Sequence, residues 1–316
     1  MTTVRERGPA PGSPFNGSPG AHSSATEQAF AFLARLERWA AADAAPAPEL
    51  RAVLLAHLKR EQAAHAASGL VHQFAGRALE VVDAAMLREE TPAAACSELA
   101  RSCAAERTDL EAARAAVTRT ARALLSERES WVATVAASTT VRQALLEAHA
   151  AGRGPRAVVS EGRPGLEGRG LAAALGAAGL PTWLVVDAAL PLLLSQVAMV
   201  WLGAEAVTDR GAIVPVGGFS ATLAAREHSV PVYVLSVQRK FLPATTATLR
   251  IDEMPPEEVW EAPPSGVRPR NVHAELVPLE LLRGVVVEDG VLGATEAAMV
   301  ARDRPLPAEL AGPPGP

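Results

Sequence analysis

A chain of 316 residues, 49% hydrophobic and 21% charged, carries enough apolar material for a sizeable core in one large or two ordinary domains. A formal net charge of -5 excludes a general electrostatic footprint for nucleic acid or for an anionic membrane surface, so neither is expected as a partner. The most apolar run, residues 180–202, is broken by Pro181, Asp187, Pro191 and Gln196, short of an uninterrupted membrane span, and the N-terminus lacks the apolar centre of a secretory signal. The expected compartment is the cytoplasm.

Residues 1–23, rich in Gly, Pro and Ser, read as a disordered tail. From Ser24 the pattern becomes helical: Ser24 and Glu27 have the spacing of a capping box, and Phe32, Leu36 and Trp39 recur on one face. Pro46 and Pro48 open a second helix with Leu50, Leu54 and Leu58 on one side and Gly69 as its stop. A third runs from Leu70 to Arg88, and Thr91-Pro92 caps a fourth that extends towards Leu125. Residues 24–127 are thus expected to form an N-terminal helical bundle. His57, His65 and His72 are spread over two of these helices without a carboxylate or thiol cluster, so they read as packed or solvated histidines, and no metal site is expected. Cys96 and Cys103 share a helical face and read as reduced, buried thiols.

Beyond this point short apolar runs alternate with alanine-rich helices. Trp131–Val135, Ala157–Ser160, Trp183–Val186, Ala198–Leu202 and Val232–Leu235 are the expected strands, with helices near 139–151, 167–178 and 219–228. Such alternation gives an α/β fold with a mostly parallel sheet covered on both faces, here over residues 128–303, and residues 304–316 read as a second disordered tail. Ligands gather at the carboxyl ends of such strands.

The turns there hold the candidate residues. Glu161-Gly162-Arg163-Pro164, followed by Glu167-Gly168-Arg169, combines a glycine-rich entry to a helix with an arginine fork, a combination suited to phosphate or carboxylate. Arg163, Glu161 and Gly168 are therefore candidates for holding an anion; alternatively Glu161 pairs with Arg163 or Arg169 and only stabilises the turn. Ser138 reads as a phosphate-contacting hydroxyl, a helix N-cap, or both. Asp187, at a strand end, either orients a sugar hydroxyl or caps the segment after it. Gly217-Gly218 would let an anion approach the backbone, although Pro215 and Phe219 make that turn stiff and apolar. A serine nucleophile would need a histidine base, and His149 and His228 lie late in helices, away from these turns. Lys240-Phe241 reads as a core or interface anchor.

The ordered blocks VVSEGRPGLEG (158–168), the strand ending at Asp187, WLGAEAVTDRGAIVPVGGFS (201–220), HSVPVYVLSVQRKF (228–241) and NVHAELVPLELLRGVVVEDGVL (271–292) carry a further signal. They resemble the family that unites the α, β and δ regulatory subunits of eukaryotic translation initiation factor 2B with methylthioribose 1-phosphate and ribose 1,5-bisphosphate isomerases. The resemblance implies a small helical domain before a Rossmann-like domain. It also implies that the isomerases' proton-moving cysteine falls on Ala136, their aspartate on Glu205, their Asn-Lys pair on Pro215-Val216, and a following threonine on Phe219. Alanine cannot carry a proton. The implied function is therefore that of a factor 2B-like regulatory protein, a homodimer or higher oligomer without cofactor. Its remnant pocket for a phosphorylated sugar or nucleotide would use Arg163, Glu161, Gly168, Ser138, Gly217 and Gly218. The alternative the resemblance allows is a divergent aldose-ketose isomerase of phosphorylated pentoses, with Glu205 and Asp187 as its acid-base pair.

Overall fold

The structure, a computed structural model, describes residues 24–42, 49–125 and 130–312. The expected tail at 1–23 and the prolines at 46 and 48 lie outside the described residues.

Four helices come first: α1 (Ala25–Ala41), α2 (Leu50–Ala64), α3 (Gly69–Leu87) and α4 (Pro92–Ala123). Local chemistry sets their starts. The Ser24 hydroxyl accepts from Glu27 N while the Glu27 carboxylate takes Ser24 N, completing the capping box, and Thr91 caps α4 with Pro92 at its first position. Gly69 does not stop α2, as the sequence had implied. That helix ends at Ala64, the Ser68 hydroxyl caps α3, and Gly69 opens it. A Cβ at Gly69 would lie 2.5 Å from the Lys240 carbonyl oxygen, so the glycine serves a close approach of two chain segments.

The rest of the chain alternates: β1 (Trp131–Thr134), α5 (Thr139–Ala150), β2 (Arg156–Ser160), α6 (Glu167–Ala177), β3 (Thr182–Val185), α7 (Leu190–Leu193), β4 (Met199–Gly203), β5 (Ala206–Val207), β6 (Gly211–Pro215), α8 (Gly218–Glu227), β7 (Val232–Leu235), β8 (Ala274–Pro278), β9 (Gly284–Val287), β10 (Gly290–Leu292), α9 (Ala294–Arg302) and α10 (Ala308–Ala311). The main sheet has the order β10-β9-β7-β4-β1-β2-β3, parallel except for β10. The five expected strands all lie in it, each within a residue or so of its expected bounds. Strands β5, β6 and β8 form a separate antiparallel sheet that the sequence reading had not separated out. Gly211 permits its tight pairing, because a Cβ there would come 2.6 Å from the Val277 carbonyl oxygen.

Burial joins the two parts of the chain. Leu36, Phe74 and Leu110 from the helices pack in one continuous core with Val132, Trp201 and Val286 of the sheet, so one sheet face is covered by the helical layer. The opposite face, with Val200, Leu202 and Val234, packs under Ala225 of α8 and Ala301 of α9. Cys96 and Cys103 are buried on the first of these layers, neither in a disulfide, and burial pushes the Cys103 thiol up to about 12. The expectation of a frayed end from residue 304 needs correcting as far as residue 312. Leu310 of α10 is fully buried and its carbonyl accepts the Thr248 hydroxyl at 2.9 Å, so an apolar side chain ties this segment down. No helix among the described residues is long and apolar enough to cross a membrane.

Candidate functional site

From β1 the sheet grows outward through β2 and β3, and the chain then returns to place β4 on the other side of β1. The carboxyl ends of β1 and β4 therefore flank a topological switch point, where α/β sheets open a crevice. A cleft of about 840 Å³ lies there; Ser138, Arg142, Arg163 and Glu205 line it, together with Glu27 of α1 and Met254 of a long loop.

In the turn from β1 to α5, Ala136 adopts a left-handed φ of 51° and its N–H donates to the Ser160 hydroxyl at 3.2 Å. Ser138 is the N-cap of α5, accepting from Val141 N at 3.3 Å. That cap is neutral. Arg142 stands on the first turn of the same helix, exposed, and forms no ion pair with a described residue.

The turn from β2 to α6 is held from outside. The Asp187 carboxylate accepts Gly162 N at 2.9 Å and Arg163 N at 2.8 Å. Both oxygens are engaged, and the carboxylate caps the turn after the neighbouring strand, where the sequence reading had it orient a sugar hydroxyl or cap its own following segment. It does not line the cleft. Glu161 pairs with Arg169 at 2.9 Å, the turn-stabilising alternative of its two readings. Gly168 is buried against β2, and a Cβ there would lie 1.8 Å from the Ser160 carbonyl oxygen, so close packing is its role in the fold. Arg163, in contrast, lines the cleft, is exposed, and pairs with no described carboxylate. The Arg163-Pro164 peptide is cis.

The glycine pair after β6 lies apart. Gly217 takes a φ of 97° at the N-terminus of α8, and Phe219 N donates to Glu275 Oε1 at 2.8 Å. A Cβ on Gly218 would meet Val214 at 2.5 Å. Neither glycine lines the cleft, although Pro215 and Val216 just before them do.

Glu205 follows β4 and presents a carboxyl whose pKa is raised by burial, with the Lys240 ammonium and the Ala25 N–H opposing that rise. Lys240 is buried behind it, donates to the Ala204 carbonyl at 2.5 Å, and is pushed down to about 8 by burial, with Glu205 resisting the shift and Arg114 adding to it. Both groups move towards neutrality for the same reason, the cost of a charge out of water. The lysine therefore serves as a core anchor, tying the segment after β7 to the end of β4.

Sequence reasoning had not singled out Arg142 or His273, and had read His65, the C-cap of α2, only as a packed or solvated histidine; all three line the cleft. The first carried a signal, an arginine four positions after a strand-end N-cap. His273 lies 2.9 Å from the Glu258 carboxylate, a pairing made by a loop that sequence periodicity cannot place. Among the described residues no group of three or more His, Cys, Asp or Glu is placed to hold a metal ion.

A Rossmann-like sheet under a helical layer, with a cleft at its switch point, defines the class of protein. The chain belongs to the initiation factor 2 subunit family, whose family model matches residues 31–294. It is similar to methylthioribose-1-phosphate isomerase of Synechococcus sp. (strain CC9902), 32% identical over 165 residues that cover 48% of this chain and 49% of the relative. It is also similar to ribose 1,5-bisphosphate isomerase of Archaeoglobus fulgidus, 28% identical over 166 residues, 50% of this chain and 52% of that one. The chain thus matches about half the length of these curated relatives. Among solved structures, the translation initiation factor eIF-2B of Pyrococcus horikoshii OT3 superimposes with a TM-score of 0.71 at 20% identity, covering 88% of this chain and 92% of the other. A chain of the tetrameric eIF2B-beta2-delta2 complex from C. thermophilum superimposes with a TM-score of 0.64 at 20% identity, covering 90% of each.

Proposed function

We propose that this protein is a cytoplasmic, factor 2B-like regulatory subunit that binds a phosphorylated sugar or nucleotide in the switch-point cleft without turning it over, and that it works as a homodimer or higher oligomer. The observation that carries the reading is the make-up of the cleft lining. The N-terminus of α5, capped only by the neutral Ser138, lines it together with Arg142 and Arg163, which pair with no carboxylate among the described residues, a combination of oriented N–H groups and guanidinium forks that suits a phosphate. Ala136, Pro215 and Val216 line it at the positions where the resemblance implies the isomerases' proton-moving cysteine and Asn-Lys pair, and none of the three is able to transfer a proton. The carboxyl of Glu205 stands in the cleft but is shared with Lys240 and the Ala25 N–H. The likeness to a tetrameric complex supports the oligomer.

The similarity to two sugar-phosphate isomerases supports a second reading, a divergent aldose-ketose isomerase using Glu205. With both carboxylate oxygens of Asp187 engaged by backbone N–H groups, the Glu205-Asp187 pair expected for that reading is weakened. Melting curves with ribose 1,5-bisphosphate, methylthioribose 1-phosphate and nucleoside monophosphates, followed by a ketose assay on each compound that stabilises, separate the readings. The regulatory reading expects stabilisation without ketose, and Arg163→Ala to weaken binding about tenfold or more through loss of a charge-assisted bond. Formation of ketose at enzymatic rates would establish the isomerase, and silence from every compound would refute both.

A further inference from the structure

Strand β3 ends the main sheet on one side, and its outer edge pairs with no other strand among the described residues. Its bonds to β2 come from every second residue. Val158 stands opposite Trp183 and Ser160 opposite Val185, while Ala157 N donates to the Pro181 carbonyl and Glu161 N to the Val185 carbonyl. In this parallel register Trp183 and Val185 turn their N–H and C=O groups towards β2, and Thr182 and Leu184 turn theirs outward.

Proteins usually blunt such an edge with charges, a proline or a covering element. Thr182–Val185 holds neither a charge nor a proline. Trp183 on one face and Leu184 on the other are 43% and 45% exposed, so the layers above and below stop short of the edge. The apolar surface runs on past the strand. Val186 is exposed, and Leu192 of α7, a helix that packs on the sheet face of Val185 through Leu190, is 76% exposed. Large apolar side chains gathered at one edge mark a contact region.

Two features select the occupant. From Leu180 to Leu194 the only charge is Asp187, and both its oxygens are held by Gly162 N and Arg163 N, so nothing on the segment draws a charged partner or repels a copy of itself. The edge is also complementary to itself. An antiparallel approach across a twofold axis at Leu184 sets the outward N–H and C=O of this residue against the same groups of its copy, and the Thr182 carbonyl against the Val186 N–H.

We propose that β3 is the twofold interface between two copies of this chain, which pair edge to edge so that the main sheet continues from one protomer into the other, with Trp183, Val186 and Leu192 covered in the process. The inference rests on the oligomer reading above and names the surface that makes it.

The test is light scattering on the full chain after gel filtration. The wild type should have the mass of a dimer or a larger even multiple of the monomer. Leu184→Lys sets two ammonium groups against each other at the axis, and should halve that mass at equal concentration or weaken association at least tenfold. Leu184→Cys reads the same axis without a charge. Residues in a hydrogen-bonded antiparallel pair have Cα atoms about 5.5 Å apart, within disulfide reach, so mild oxidation at micromolar concentration should give a covalent dimer. Cys96 and Cys103 are buried, and Leu87→Cys, at an exposed position on α3, should give none. A wild type that is monomeric at every concentration would refute the oligomer reading and this interface together. A wild-type oligomer whose mass survives Leu184→Lys, or whose Leu184→Cys form fails to cross-link, would overturn the interface alone and leave the oligomer to another surface.

Discussion

The turn after β2 and the turn after β6 are alike in sequence and opposite in fate. Each bends through a glycine of positive φ, Gly162 at 72° and Gly217 at 97°, and each opens a helix whose first N–H groups call for an anion. In both, the protein supplies a carboxylate from an element distant in sequence: Asp187 accepts Gly162 N and Arg163 N in the turn ahead of α6, 25 residues on from Gly162, and Glu275 accepts Phe219 N in the first turn of α8, 56 residues on. The first turn nevertheless directs Arg163 to the cleft, whereas the second packs Gly218 against Val214 and lies outside it. A third turn, after β1, has only the Ser138 hydroxyl as its cap and lies in the same cleft as Arg163. The comparison teaches that a glycine-rich entry to a helix marks a demand for negative charge; only tertiary structure decides whether the chain or a ligand meets it.

The strongest challenge to this contrast removes the internal anion from the first turn. Asp187→Ala leaves two N–H groups at a half-exposed site without their charged acceptor, a loss of about 2–3 kcal/mol. Urea unfolding should show that drop in stability, and ligand stabilisation in the cleft should fall with it, because the Arg163 backbone is no longer held. Retention of full stability would mean that the turn does not depend on Asp187. A subtler change converts the third turn into the pattern of the first two. Ser138→Asp keeps a good N-cap, so stability should stay within about 0.5 kcal/mol, while the new carboxylate occupies the place assigned to a phosphate. Ligand binding measured by calorimetry should weaken at least about tenfold. Unchanged affinity would move the phosphate elsewhere.

How much of this was legible in the sequence follows from the range of the interactions. The capping box of Ser24 and Glu27, the Thr91-Pro92 start and the five core strands rest on neighbours within a few residues, and each was readable from spacing. Gly69 was misread because its constraint comes from Lys240, far along the chain, and a glycine compelled by tertiary contact looks like a glycine that ends a helix. The two-residue strand β5 offers too little pattern to detect, and its partners β6 and β8 are separated by α8 and β7. At the site, Arg163, Ser138 and Glu205 were legible as residues of strand-end turns, and the structure brings them to one cleft with Arg142. The roles of Asp187, Gly217 and Gly218 were not, since each depends on a hydrogen bond or a packing contact between elements distant in sequence.

The smallest expected effect tests the other half of the comparison. Glu275→Ala strips the internal anion from the turn after β6, exposing Phe219 N and lowering stability by about 1 kcal/mol, the usual cost of a lost cap. If that turn belongs to the fold alone, the affinity for any phosphorylated ligand of the cleft should not change, because neither Gly217 nor Gly218 lines it. Calorimetry on this variant beside Asp187→Ala therefore reads one turn against the other. A ligand that binds more tightly once Glu275 is gone would show that the freed helix N-terminus competes for phosphate, and that the two turns differ only in the carboxylate each happens to hold.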